Sequence, residues 1–87
     1  MLTAIKYNCD PESLGDVSQE AFADAFENEV RVKPIYRDLS IEVTFDAGNS
    51  EVASFASDDW QADISHEEHF REEFTRFAEK AFAACLA

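Results

Sequence analysis

All eight phenylalanines of this 87-residue chain fall in stretches whose apolar residues recur at a fixed spacing, and that spacing restricts the fold more than any other feature. Phe22, Phe26 and Val30 stand four residues apart with Ala21 and Ala25 beside them, which predicts a helix with one buried stripe. Phe70, Phe74, Phe77, Ala78, Ala81, Phe82 and Cys85 keep three- and four-residue spacing and predict a second helix running almost to the last residue. Between the two, Leu39, Ile41, Val43 and Phe45 alternate with Ser40, Glu42, Thr44 and Asp46, the period of a half-buried strand.

Turn and cap chemistry marks the boundaries. Residues 2–7 are strand-compatible and run into Asp10-Pro11, a turn-initiating pair, so a strand and then a loop over residues 8–17 are expected. Asp16 or Ser18 can cap the first helix, which should fail near Lys33 because the residue before Pro34 is pushed out of the helical region. Ala47-Gly48-Asn49-Ser50 reads as a turn and residues 51–57 as the returning strand of an antiparallel hairpin, with Ala53 and Phe55 on one face. Trp60, Ala62 and Ile64 alternate and suggest a short third meander strand, while Ser65-His66-Glu67-Glu68 has the form of a capping box for the last helix. Together these predict one α+β domain over residues 1–87. It is a two-layer sandwich, with an antiparallel sheet of three to four strands and two helices packed on one face, in the order β-α-β-β-(β)-α. Helix, three-strand meander, helix resembles in outline the double-stranded RNA-binding fold. That fold engages phosphates with basic residues, and here the corresponding surface would be acidic.

A chain this short buries only about 60 to 65% of its unfolded surface, so large side chains must fill the core. Eight phenylalanines, two tyrosines and one tryptophan can do so without disulfide or metal. The net charge is −12, which on a surface of about 5,000 Å² is roughly one excess negative unit per 400 Å². Such a surface repels nucleic acid and anionic lipid, so no direct nucleic-acid or membrane binding is expected. The opening Met1-Leu2-Thr3-Ala4-Ile5-Lys6 does not have the form of a secretory signal, and no apolar run is long enough to span a bilayer, which points to a cytoplasmic protein. Cys9 and Cys85 have neither metal-knuckle nor redox-pair spacing and are expected reduced, Cys85 in the core; a disulfide would require the chain ends to be adjacent.

Sixteen of the nineteen acidic residues lie in residues 7–30 and 38–70, stretches that contain no lysine or arginine, so no local salt bridge is expected to neutralise them. A large single-sign field costs stability through self-repulsion and serves solubility, steering or recognition of an opposite charge, so the expected partner is a basic surface. Glu20, Asp24 and Glu27 share one face of the first helix opposite Phe22 and Phe26, with Cβ atoms about 5 to 6 Å apart. That spacing approximates a row of phosphates. Asp58, Asp59, Asp63, Glu67 and Glu68 surround Trp60 and form a second candidate cluster, in which Trp60 is either an aromatic anchor or a core residue capping the sheet. The plainer alternative is that both clusters are solvated faces.

Other chemistries find less support. His66, His69 and Glu73 share a helical face, but the zinc-protease spacing is absent and no third histidine or cysteine lies nearby. Asp46, Asn49 and Glu51 flank a glycine turn without the EF-hand pattern. Acid pairs are many and none is singled out for hydrolysis. Neither cysteine has a histidine partner in sequence, and two glycines cannot make a phosphate loop. No cofactor and no enzyme activity are expected.

Small size, strong acidity, lack of catalytic motifs and a compact mixed fold together resemble the small acidic anti-CRISPR proteins that phages and mobile elements encode. The likeness is one of composition and covers the whole chain. It implies a monomeric, stoichiometric inhibitor in a bacterial host cell, whose carboxylates stand in for phosphates against the lysines and arginines of a CRISPR surveillance complex, where target DNA or its PAM docks. A mimic aimed at another nucleic-acid-binding protein, such as a restriction enzyme, and an acidic structural or salt-adapted protein are the alternatives. A salt-adapted protein would lose its fold at low ionic strength.

Overall fold

A computed structural model of the chain describes residues 1–86, the side chains of Trp60 and Ala62 excepted. The elements run β1 (Leu2–Asn8), α1 (Gln19–Arg31), β2 (Ser40–Thr44), β3 (Glu51–Ser57), α2 (Trp60–Ile64) and α3 (Glu67–Leu86). Short 3-10 turns at Pro11–Leu14 and Pro34–Tyr36 flank α1. The fold is α+β.

Local chemistry accounts for the helix ends. Ser18, not Asp16, caps α1: its hydroxyl accepts the amide of Ala21 at 3.0 Å. Asp10 does the same for the first 3-10 turn, accepting from the Glu12 amide at 3.1 Å. The helix stops before Pro34, as the restriction on Lys33 requires, and the 3-10 turn that follows drives Tyr36 into the core.

The sheet is mixed, with strand order β2-β1-β3, which corrects the expected antiparallel sheet. The β2–β3 hairpin is not formed, because β1 lies between the two strands. It pairs with β2 in parallel and with β3 in antiparallel fashion. Strand, helix, strand is the order of a βαβ unit, in which α1 supplies the crossover a parallel pair needs. Residues 45–50 must therefore cross two strand spacings, about 9.5 Å, rather than one. The side chain of Asn8 at the end of β1 holds that crossing. Its amide nitrogen donates to the carbonyls of Asp46 and Asn49 at 3.0 and 3.1 Å, and its amide oxygen accepts from the Asp46 amide and the Thr44 hydroxyl at 3.0 and 2.8 Å.

Two irregularities set which side chains face the core. Tyr7 pairs with Val52 and Lys6 with Ser54, leaving Ala53 as the extra residue of a β-bulge. The shift in alternation puts Val52 and Phe55, rather than Ala53 and Phe55, on the inner face: Val52 is buried, and Phe55 packs against Phe70 with ring centroids 6.1 Å apart. A similar irregularity at Thr3 lets Leu2, Ile5 and Tyr7 all point inward.

Aromatic rings join the helices to the buried residues of the sheet. Phe22, Phe26 and Val30 of α1 and Phe74, Phe77, Ala78 and Ala81 of α3 are buried in one cluster with Leu2, Ile5, Tyr7 and Val52. The Tyr7 and Phe26 rings lie 4.9 Å apart, and Phe26 and Phe74 6.4 Å, so the rings run from sheet to α1 to α3. Offset and tilted pairs of this kind add about 0.5 to 1.5 kcal/mol each beyond area burial.

The third meander strand is replaced by helix α2. Ser57 accepts the Asp59 amide at 3.1 Å and bonds the carboxylate of Asp63, and the Asp63 amide closes a helical bond to the Asp59 carbonyl at 3.0 Å. Five residues are too few for a two-residue period to be told from a helical one. The double-stranded RNA-binding outline, which needs the meander, is lost with it. The helix that follows opens at Glu67, with the Phe70 amide bonded to the His66 carbonyl at 3.0 Å, one residue later than the Ser65 capping box predicts.

Candidate functional site

Helix α1 turns Phe22, Phe26 and Val30 inward, so geometry alone sends Glu20 and Asp24 to the opposite side, where both are exposed. Glu27, the third member of that row, is drawn to Arg31 one turn on, with oxygen-to-nitrogen distances of 3.0 Å to both Nε and Nη2. Arg31 also donates to the carbonyl of Arg37 at 2.7 Å, which ties the end of α1 to the segment after it. The exposed acidic face of α1 is therefore Glu20 and Asp24.

The second cluster is largely engaged within the fold. Asp58 and Asp63 both hold the α-amino group of Met1, at 2.8 and 2.7 Å. Asp63 is nearly buried; the hydrogen bond from that amine first, and that from Ser57 second, hold its carboxyl below the usual carboxylate range. The amine is in turn pushed up to about 10, by Asp58 first and Asp63 second. Glu67 accepts from Arg71 at 2.9 Å, and Arg71 also reaches the carbonyl of Val52 at 2.7 Å, pinning α3 to β3. Asp59 and Glu68 remain exposed. The side chain of Trp60, the candidate anchor, lies outside the described residues.

Local ion pairs thus do form at the borders of the acidic runs, against expectation, because the flanking cations fold back onto them. Lys6 reaches Glu42 across the β1–β2 pair at 3.2 Å. Outside the runs, Arg76 comes within 3.9 Å of Glu72 one turn before it on the solvated face of α3, a pairing that the helical spacing itself suggests. Among the described residues, five of the seven lysines and arginines come within ion-pair distance of carboxylates in this way. With twelve more acids than bases, the remaining field stays strongly negative.

A buried acid that sequence reasoning placed only in a metal trio proves structural. Glu73 projects from α3 among Phe70, Phe74 and Phe77, and takes hydrogen bonds from the Lys33 ammonium and the Tyr36 hydroxyl. Burial alone would raise its pKa; the bonds from Lys33 and then Tyr36 outweigh burial and hold it low. Burial, then the bond to Glu73, raises the Tyr36 phenol well above its usual value. The readable signal was an acid set inside an aromatic stripe. His66 and His69 are exposed, and among the described residues no three histidine, cysteine or acidic side chains gather to hold a metal.

Asp46 and Asn49, weighed for calcium, present their backbone carbonyls to Asn8. Cys9 and Cys85 are free thiols; burial raises that of Cys9 first, and its nearest polar neighbours are the Asp10 carbonyl and the Ser13 hydroxyl. No described helix is long and apolar enough to cross a membrane. No protein-family model, no curated protein and no solved structure matches the chain.

Proposed function

We propose that the protein is a small acidic inhibitor that binds another protein as a DNA mimic, occupying the basic surface a CRISPR surveillance complex keeps for target DNA or its PAM. The observation that carries this reading is the division of charge: among the described residues, five of the seven cations come within ion-pair distance of the chain's own carboxylates, while Glu20 and Asp24 stand exposed one turn apart on α1. Like charges at that spacing cost a few tenths of a kcal/mol in an isolated helix, a cost that an opposing basic groove turns into a gain.

Both long helices are read as one layer over the inner sheet face, so that the acidic side of α1 points away from the sheet. The backbone spans 40 × 27 × 17 Å. Its long dimension is comparable to one turn of duplex DNA, about 34 to 36 Å. Asp59 and Glu68 extend the acidic surface, whereas Asp58, Asp63 and Glu67 serve mainly to hold the fold. The protein acts as a monomer in the bacterial cytoplasm, without cofactor and without catalysis.

The test is retention of the tagged protein's partners at low salt, elution with rising salt, and competition between this protein and DNA for the purified partner. Reversing Glu20 and Asp24 to lysine should weaken binding about a thousandfold, the equivalent of roughly 4 kcal/mol. A restriction enzyme or other DNA-binding protein in the eluate would keep mimicry and change the target. Binding that survives both high salt and the double reversal would overturn mimicry.

A further inference from the structure

The two edges of the sheet are finished differently. On β3 a bulge at Ala53 interrupts the pairing, and Arg71 of α3 already donates to the carbonyl of Val52; both devices blunt an edge. β2 has neither. It is the outermost strand on its side, and its register with β1 runs unbroken from Ser40 to Thr44. The Cys9 amide donates to the Thr44 carbonyl at 2.8 Å, so in this parallel pair Ser40, Glu42 and Thr44 turn their main-chain groups to β1. Ile41 and Val43 turn theirs the other way and set a row of amides and carbonyls along the outer edge. Among the described residues, no segment on that side hydrogen-bonds to them.

The side chains at this edge are also incompletely covered. Ile41, Val43 and Phe45 pack against the core cluster, yet each is only half-buried. Phe45 meets Phe22 edge-on, with ring centroids 6.3 Å apart. An added strand whose apolar residues fall in register with Ile41 and Val43 would lengthen this row and cover it.

Charge decides what kind of strand fits. Asp38, Glu42 and Asp46 are exposed on and beside β2. The cations near them are Lys6, which pairs with Glu42 at 3.2 Å, and Arg37, next to Asp38 in the chain. Full antiparallel overlap with β2 of a second copy would set the two Glu42 side chains opposite each other and bring Asp38 of each copy toward Asp46 of the other. Like charges directly opposite are destabilising, and each copy would carry a net charge of −12. A strand with lysine or arginine at alternate positions meets the same carboxylates favourably and is drawn in by the field of the whole chain.

We infer that the outer edge of β2 takes up an extended basic segment of a partner protein as a fourth strand. The segment lies antiparallel, the more stable pairing, with apolar residues opposite Ile41 and Val43 and a lysine or arginine beside Glu42 on the other face. Main-chain bonds to Ile41 and Val43 fix the register, and the alternation of side chains gives the selectivity. The inference goes beyond DNA mimicry and stands apart from it, since it uses none of the α1 carboxylates.

The probe is a capped peptide that alternates lysine and valine, added to the isotope-labelled protein at low salt, with amide shifts and hydrogen exchange as readouts. In the protein alone the Ile41 and Val43 amides should exchange fast and that of Glu42 slowly. Saturating peptide should slow Ile41 and Val43 about tenfold, with a Kd on the order of 0.1 to 1 mM. In the inferred register the valine amides face β2 and the lysine amides face solvent. N-methylation of the valine amides should therefore weaken binding about tenfold, while N-methylation of the lysine amides leaves it nearly unchanged. Glu42→Lys should weaken it about fivefold. A peptide with its lysines and valines in separate blocks should not protect Ile41 or Val43. Undiminished binding after methylation of the valine amides, or shifts spread over every acidic surface, would overturn the proposal. So would protection of Ile41 and Val43 that grows with protein concentration alone, which would assign the edge to a second copy.

Discussion

The Tyr36 hydroxyl, at the end of a 3-10 turn, donates to the carboxylate of Glu73 from α3, and this bond joins the α1–β2 connection to the last helix. Lys33, two residues before the turn's midpoint, holds the other carboxylate oxygen. Tyr36→Phe leaves a buried carboxylate with one donor, and should lower stability by about 1.5 to 3 kcal/mol in urea titration. Glu73→Ala should cost a similar amount, since it strands the buried phenol.

The same pair gives stability a pH dependence at both ends. The Glu73 pKa is lowered in the fold, so its contribution is complete above the unfolded value of about 4.3 and lost as pH falls through the folded value. The Tyr36 pKa is raised, so its contribution is complete below about 10 and lost as pH rises beyond it. Urea midpoints measured from acid to alkaline pH should fall at both extremes, and Tyr36→Phe should flatten the alkaline side.

Asn8 makes four hydrogen bonds to residues 44–49, so Asn8→Ala should cost about 1 to 3 kcal/mol and speed hydrogen exchange at the Asp46 amide before the core is affected. Asn8→Asp keeps the two acceptor roles and loses both donors, and should fall between wild type and alanine.

Removing Ala53 should test the bulge directly. Without the extra residue, Val52 and Phe55 stand two positions apart on one face of a regular strand, and the pairs Tyr7–Val52, Lys6–Ser54 and Ile5–Phe55 are kept, so the deletion should leave both side chains inward and cost little stability. Ala53→Ser keeps the backbone count and should be near neutral. A deletion far less stable than the substitution would show that the pairing beyond the bulge does not close up in this way.

A net charge of −12 predicts that stability rises as salt increases from low to physiological strength, because screening relieves self-repulsion. The protein should nonetheless be folded at the lowest salt. Circular dichroism at a few millimolar salt checks this, and a chain unfolded there would instead be salt-adapted.

Much of the secondary structure was legible, and its assembly less so. The four-residue spacing of Phe22, Phe26 and Val30 and the alternation from Leu39 to Phe45 each report a single element meeting a single core, which periodicity encodes directly. Strand pairing is not local. The glycine turn at residues 47–50 looked like a hairpin because nothing near it reveals that β1 has taken the place between β2 and β3. On the acidic surface, the exposure of Glu20 and Asp24 followed from helix geometry. The capture of Asp58 and Asp63 by a terminal amine could not, since that group is no side chain.

The place of β1 at the centre of the sheet has a kinetic consequence. Its paired residues, from Ala4 with Ser40 to Leu2 with Ser57, lie far apart along the chain, so β1 is synthesised before both of its neighbours and must wait for them. Such long loops close late, and a high contact order slows folding relative to a helical bundle of equal size. During that wait a nascent chain carries Leu2, Ile5 and Tyr7 on a strand with two unpaired edges. The like charges that follow it, from Asp10 to Glu29, then act as a built-in guard against aggregation on the ribosome.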